Sequence, residues 1–131
     1  MTKSRTLLGG LALLPAALLL SACGGQAEWY SIDSVTVAPD GRTLTATLMF
    51  GPPGSDGTFC EKVTDTEVTE SPTKVTIGIE VRDTCEPFFP WQEGRITNMM
   101  AYDYKHDVRL SRPLAGRTVI DRSDQRAIAT R

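Results

Sequence analysis

The chain carries a single histidine, His106, and only three cysteines, Cys23, Cys60 and Cys85. No Cys-x-x-Cys occurs, which excludes a thioredoxin-like redox motif and the paired-cysteine zinc knuckles. There is no Gly-x-Ser-x-Gly, so a serine hydrolase with a nucleophile elbow has no support. Calcium loops of the Asp-x-Asp-x-Asp-Gly kind are missing as well. No block of like charges appears that would mark a solvated interaction tail. With 14 Lys+Arg against 16 Asp+Glu the formal net charge is −2, the wrong sign for a nucleic-acid binder, which needs a basic stripe. The helical spacing of apolar residues is also missing from residue 23 onward, which excludes a helical bundle.

What is there begins at the N-terminus. Lys3 and Arg5 form a short positive region, and residues 7–20 follow without a charge. That is the layout of a secretory signal peptide. A permanent span needs about 20 apolar residues, and this stretch is shorter and interrupted by Gly9, Gly10 and Pro15. Leu20-Ser21-Ala22-Cys23 closes the segment. These four residues resemble the bacterial lipobox at every position. The resemblance implies that residues 1–22 are removed and that Cys23 becomes a lipidated N-terminus. The thiol is the most nucleophilic side chain available for alkyl transfer. Two or three acyl chains would hold the protein on the membrane, since each buried CH₂ contributes about 0.8 kcal/mol and one chain alone is marginal. Residues 23–28 then read as the lipidated Cys and a short flexible tether, with Gly24 and Gly25 spanning toward the domain. The expected location is the outer face of the cell membrane, and the membrane is the first expected partner. Loss of Lys3 and Arg5 leaves 12 cations against 16 anions, a formal −4.

Cys60 and Cys85 remain as an even pair in an oxidising compartment, which is most simply a disulfide. It would close a loop of about 26 residues and stabilise by roughly 3–4 kcal/mol. Free thiols, or a metal site completed by a carboxylate, are the alternatives.

Period-two alternation dominates residues 29–121 and predicts an all-β domain. In residues 43–50, Leu44, Ala46, Leu48 and Phe50 face inward, with Thr43, Thr45 and Thr47 outward. In residues 74–82, Val75, Ile77, Ile79 and Val81 share one face. In residues 102–110, Tyr102, Tyr104, His106, Val108 and Leu110 alternate with Asp103, Lys105, Asp107 and Arg109. Such alternation belongs to antiparallel sheets with one wet face. Weaker strands are expected over 31–37, 63–70 and 117–121, the Thr-rich 63–70 at an edge where charges discourage association. Pro39-Asp40-Gly41, Ser71-Pro72-Thr73 and Pro113-Leu114-Ala115-Gly116 read as turns. About six strands make a small antiparallel sandwich or open barrel. Residues 122–131 lack periodicity and are expected to fray.

The run Asp40-Gly41-Arg42-Thr43-Leu44-Thr45, the cysteine pair, and Pro113 through Asp121 resemble small actinobacterial lipoproteins and secreted proteins. That resemblance implies a β fold in the cell envelope and carries no activity with it.

Chemistry is sparse. His106 is the first candidate as the chain's one imidazole, but alternation sends Asp103 and Asp107 to the opposite face, so neither can orient its ring. Pairs such as Glu67 with Glu70 sit on exposed faces rather than in a glycosidase cleft. Phe88, Phe89 and Trp91, between Pro87 and Pro90, form an apolar segment suited either to plugging the core or to contacting a partner. Trp29 and Tyr30 are read as core or as resting at the membrane interface. The leading expectation is a lipid-anchored, non-enzymatic envelope module for a protein or cell-wall glycan, with Phe88, Phe89 and Trp91 as the contact. An envelope hydrolase using His106 and a purely structural protein are the alternatives. No cofactor, metal or nucleic acid is expected.

Overall fold

The computed structural model describes residues 26–85 and 100–131. The expected signal segment, Cys23 and the aromatic residues Phe88, Phe89 and Trp91 lie outside the described residues. Seven strands follow in order: β1 (Glu28–Trp29), β2 (Ile32–Val37), β3 (Thr43–Phe50), β4 (Glu61–Glu70), β5 (Lys74–Asp83), β6 (Tyr102–Arg109) and β7 (Thr118–Asp121). No helix occurs among the described residues. The strands form two sheets and no closed barrel, so the all-β sandwich is the observed architecture.

One sheet runs β2-β3-β6, antiparallel throughout. The other is built around β5, with β4 on one side and both β1 and β7 on the other. β1 and β4 pair with β5 antiparallel, whereas β7 joins it in parallel, Lys74 opposite Thr118 through Ile77 opposite Asp121. Parallel pairing requires a crossover. β7 meets that condition because its chain arrives from β6 in the other sheet.

Alternation becomes burial where both neighbours are present. Leu44, Ala46, Leu48 and Phe50 of β3 face Val75, Ile77, Ile79 and Val81 of β5, and all are buried. Ile32, Val35, Val108, Leu110, Leu114 and Val119 complete the core. β4 is the edge strand expected, and a register shift between Val63 and Asp65 marks a bulge in it. The extra residue moves the inward phase from Val63 to Thr66 and Val68.

Two expectations need correction. Thr47 was assigned to the wet face, but it is only 3% exposed. It lies on the central strand, and Lys105 of the neighbouring β6 donates from Nζ to its Oγ1 at 2.7 Å, its aliphatic stem shielding the site. Residues 122–131 were expected to fray and instead are hydrogen-bonded. Ile128 N–H donates to Val119 O at 2.8 Å, Val35 N–H to Ala129 O at 3.1 Å, and Val37 N–H to Arg131 O at 3.0 Å. The tail thus turns back along β7 and crosses to β2, closing one side of the sandwich. Its partners are backbone groups of distant strands, so its own side-chain pattern needs no period.

Candidate functional site

The sandwich has two unlike ends. At one, Cys60 precedes β4 and Cys85 follows β5, and a disulfide joins them. It ties the open ends of the β4–β5 hairpin, beside the hydrogen bond from Thr84 N–H to Cys60 O at 2.9 Å. Asp83 is the carboxylate nearest the pair, all three groups lying within 4.8 Å of one another. Its Oδ1 accepts from Cys85 N–H at 2.8 Å, and the sulfurs are spent on each other. His106, the remaining metal-ligating type named by the sequence, is not part of this cluster.

Four rings fill the core at this end. Phe50 stacks on Tyr104 at 4.5 Å between centroids and meets Tyr30 and Phe59 edge-on at 5.6 and 5.5 Å. Burial, with Glu61, Glu28 and Asp83 nearby, raises the Tyr30 phenol above its ordinary value. Glu61 Oε1 accepts from Gly51 N–H at 2.9 Å. β1 runs antiparallel to β5 with Glu28 opposite Val81, so the chain from Cys23 reaches the domain at this same end. The chain also leaves at Cys85 and returns at Met100 here, the latter two residues before β6.

His106 sits mid-strand, half-buried between the sheets, and shares a hydrogen bond of 2.9 Å between its Nε2 and Thr66 Oγ1 on β4. A hydroxyl beside an imidazole is the first half of a nucleophile–base pair. The second half, a carboxylate orienting the ring, does not follow among the described residues: Asp107 faces outward and accepts from Thr45 Oγ1 at 2.7 Å, and Asp103 lies 3.8 Å from Lys105 Nζ. The bond joins β6 to β4 across the sandwich.

Trp29 and Tyr30 part company. Tyr30 turns to the core, while Trp29 lies on the outer face of the β5 sheet, where Gly78 leaves room for it. Arg122 covers the indole at 4.3 Å and forms an ion pair with Glu67. A glycine in the middle of a Val/Ile strand marks close approach of another group. That signal in the sequence pointed to this contact and was not used.

The opposite end is built from the three turns. Asp40 Oδ1 accepts from the N–H groups of Arg42 and Thr43, both at 2.9 Å, and its Oδ2 from Thr43 Oγ1 at 3.0 Å; these bonds hold the carboxyl below its usual range. Gly41 supplies the left-handed φ of 69° that the turn requires. Leu110 N–H donates to Arg42 O and Leu114 N–H to Gly41 O, each at 2.7 Å, so the first and third turns are joined. Arg117 joins the second. Its guanidinium donates to Glu70 Oε1 at 3.0 Å, to Ser71 O at 3.3 Å, and to the carbonyls of Leu114, Arg112 and Pro113 at 3.1, 3.1 and 2.9 Å. Glu70 also accepts from Ser111 Oγ and from the N–H groups of Ser111 and Arg112. Those donors, Ser111 first and Arg117 after it, pull its carboxyl down to about 2. Sequence reasoning missed Arg117 because its acceptors come from two separate segments, residues 70–71 and 112–114.

A Ser-x-x-Lys spacing, Ser71-Pro72-Thr73-Lys74, escaped the sequence reading. The structure makes it a hairpin turn: Ser71 Oγ accepts from Lys74 N–H at 3.1 Å, and the lysine side chain is exposed. It lacks the buried lysine base that penicillin-binding chemistry puts beside its serine.

Comparison with protein-family models, curated proteins and solved structures finds no match.

Proposed function

We propose that this chain is a lipid-anchored envelope domain of the kind found in small actinobacterial lipoproteins, a non-enzymatic module that stands on the outer face of the membrane by its disulfide end and presents its turn end to a partner. The observation that carries this reading is the pairing of β1, which brings the polypeptide from Cys23 to the disulfide end. Between Cys23 and Glu28 there is little reach, since an extended chain gains at most about 3.6 Å per residue. β5 spans the whole domain, and its ten residues set the turn end roughly 30 Å from the disulfide end. The turn end is the part of the domain farthest from the tether, and it is the face presented to a partner beyond the membrane.

The test is intact-mass spectrometry of protein extracted from the membranes of a bacterium that makes the full chain. The expected species lacks residues 1–22 and carries acyl mass on Cys23. Cys23→Ser protein is expected unprocessed at that position. An unmodified Cys23 on a membrane-bound chain would overturn the reading.

A further inference from the structure

We propose that the turn end is a docking surface for an acidic segment of a partner protein, held by Arg42, Lys74 and Arg112 over a floor of Pro72 and Pro113. This deepens the preceding reading and rests on it only for direction, the turn end facing away from lipid.

The first observation is charge. The mature chain is acidic, yet this end gathers Arg42, Lys74, Arg109, Arg112 and Arg117 against the two carboxylates Asp40 and Glu70. Both carboxylates are spent within the fold, Asp40 on its own turn and Glu70 on Ser111, Arg112 N–H and Arg117. Arg117 is spent in the same way. The side chains of Arg42, Lys74 and Arg112 are exposed and have no hydrogen-bond or ion-pair partner among the described residues. Three unneutralised cations therefore project from a base whose own acids cannot swing over to quench them.

The second observation is shape. A groove of about 310 Å³ is lined by Pro72, Arg112, Pro113, Ala115 and Arg117. Two proline rings and a methyl group offer apolar contact, which a peptide side chain uses and a bare phosphate chain does not. Acceptors on the Arg117 side are already taken: Ser71, Arg112, Pro113 and Leu114 each give a carbonyl to that guanidinium. A glycan, whose hydroxyls must donate as well as accept, finds little there. An acidic peptide needs donors and apolar surface, and both are present. The bonded turns hold the cations' backbone in place before binding, which reduces the ordering cost of association.

The test uses the processed full chain in detergent and a fluorescein-labelled nonapeptide of alternating Glu and Leu, read by anisotropy, with acyl mass measured on the same preparation. Arg42→Gln with Arg112→Gln is expected to weaken binding about tenfold, the loss of two exposed charge pairs. Lys62→Gln with Arg126→Gln removes the same charge from exposed positions elsewhere and is expected to change binding by less than about twofold. Neither Arg42 nor Arg112 has a side-chain partner to lose, so circular dichroism should be unchanged in that pair. Equal weakening by both pairs, no binding of the peptide, or tighter binding of a polyphosphate of equal charge would each overturn the proposal. Absent acyl mass with intact peptide binding would defeat the anchoring alone, and the converse would defeat the docking surface alone.

Discussion

Gly78→Ala is the substitution that the packing of Trp29 makes most informative. A Cβ built at Gly78 lies 2.7 Å from Arg122 Cδ and 2.9 Å from two carbons of the Trp29 ring. Ordinary carbon contacts lie at about 3.5–4.0 Å, so something must move by roughly 0.6–1 Å. Arg122 can swing its stem aside. The indole cannot do so freely, because Glu28 and Trp29 pair with Val81 and Glu80, and Tyr30 N–H donates to Ile79 O at 2.8 Å. Overpacking of this kind costs about 1–3 kcal/mol. Against it stands the lower chain entropy of Ala in the unfolded state, a gain of about 0.4–1 kcal/mol. The net expectation is a loss of about 0.5–2 kcal/mol, or roughly 3–12 °C in Tm for a domain of this size. Urea unfolding followed by far-UV circular dichroism reads every variant, with or without the indole. The loss should shrink toward zero, or reverse to a small gain, when Trp29→Ala is also present. If Gly78→Ala costs the same with and without the indole, the clash is not its cause and the assignment of Trp29 to that face is wrong.

Two further outcomes follow from the ends of the sandwich. Replacing both Cys60 and Cys85 by Ala releases a loop spanned by a sequence separation of 25. The domain should lose about 3.5 kcal/mol and roughly 15–25 °C in Tm, and wild type in reductant should match it; an unchanged melting curve would count against the bond. Glu70 has a folded-state pKa of about 2 against an ordinary 4.5, so its contribution is complete above pH 4.5 and fades as the pH falls toward 2. Glu70→Gln removes that dependence: the Tm gap between wild type and variant should be wide at neutral pH and narrow steadily through that window. A gap that stays constant across it would refute the Ser111 and Arg117 contacts as the source of the shift.

How far the chain could be read depended on whether a segment's neighbours lay on one face. β3 and β5 have apolar residues at every second position, and β6 carries Tyr104, His106 and Val108 on the same period; their places came directly from that pattern, although Thr47 of β3 is buried against it and Tyr102 of β6 is exposed. β4 was legible as an edge, but its phase was not, because the bulge before Asp65 inserts a residue that composition does not mark. β1 was missed, since two residues carry no period and are held in place by Gly78, 49 positions away. The tail was misread for a related reason. Its bonds to Val35, Val37 and Val119 are main-chain bonds, indifferent to which side chains it carries. The turn end was half-legible. Each turn was recognised from Pro, Gly and Asp, but the convergence of Arg42, Lys74, Arg112 and Arg117 exists only once two sheets are stacked.

That stacking is decided by polar groups as well as apolar ones. Burial alone would let the two sheets slide, because Val, Ile and Leu faces accept many offsets. Asp121 does not permit this. It is 2% exposed, and its Oδ2 accepts from Ile32 N–H at 2.8 Å across 89 residues of sequence, while Oδ1 accepts from Ser123 N–H. Sliding would leave a buried donor unpaired, at about 1–3 kcal/mol. Thr66 with His106 on the other side adds a part-buried tie, and Glu70 with Ser111 and Arg112 an exposed one at the turns. Three such ties between the sheets fix their offset, and with it the spacing of the three turns. His106 thus has a structural role in the sandwich, and the backbone that carries Arg42, Lys74 and Arg112 inherits its spacing from these bonds.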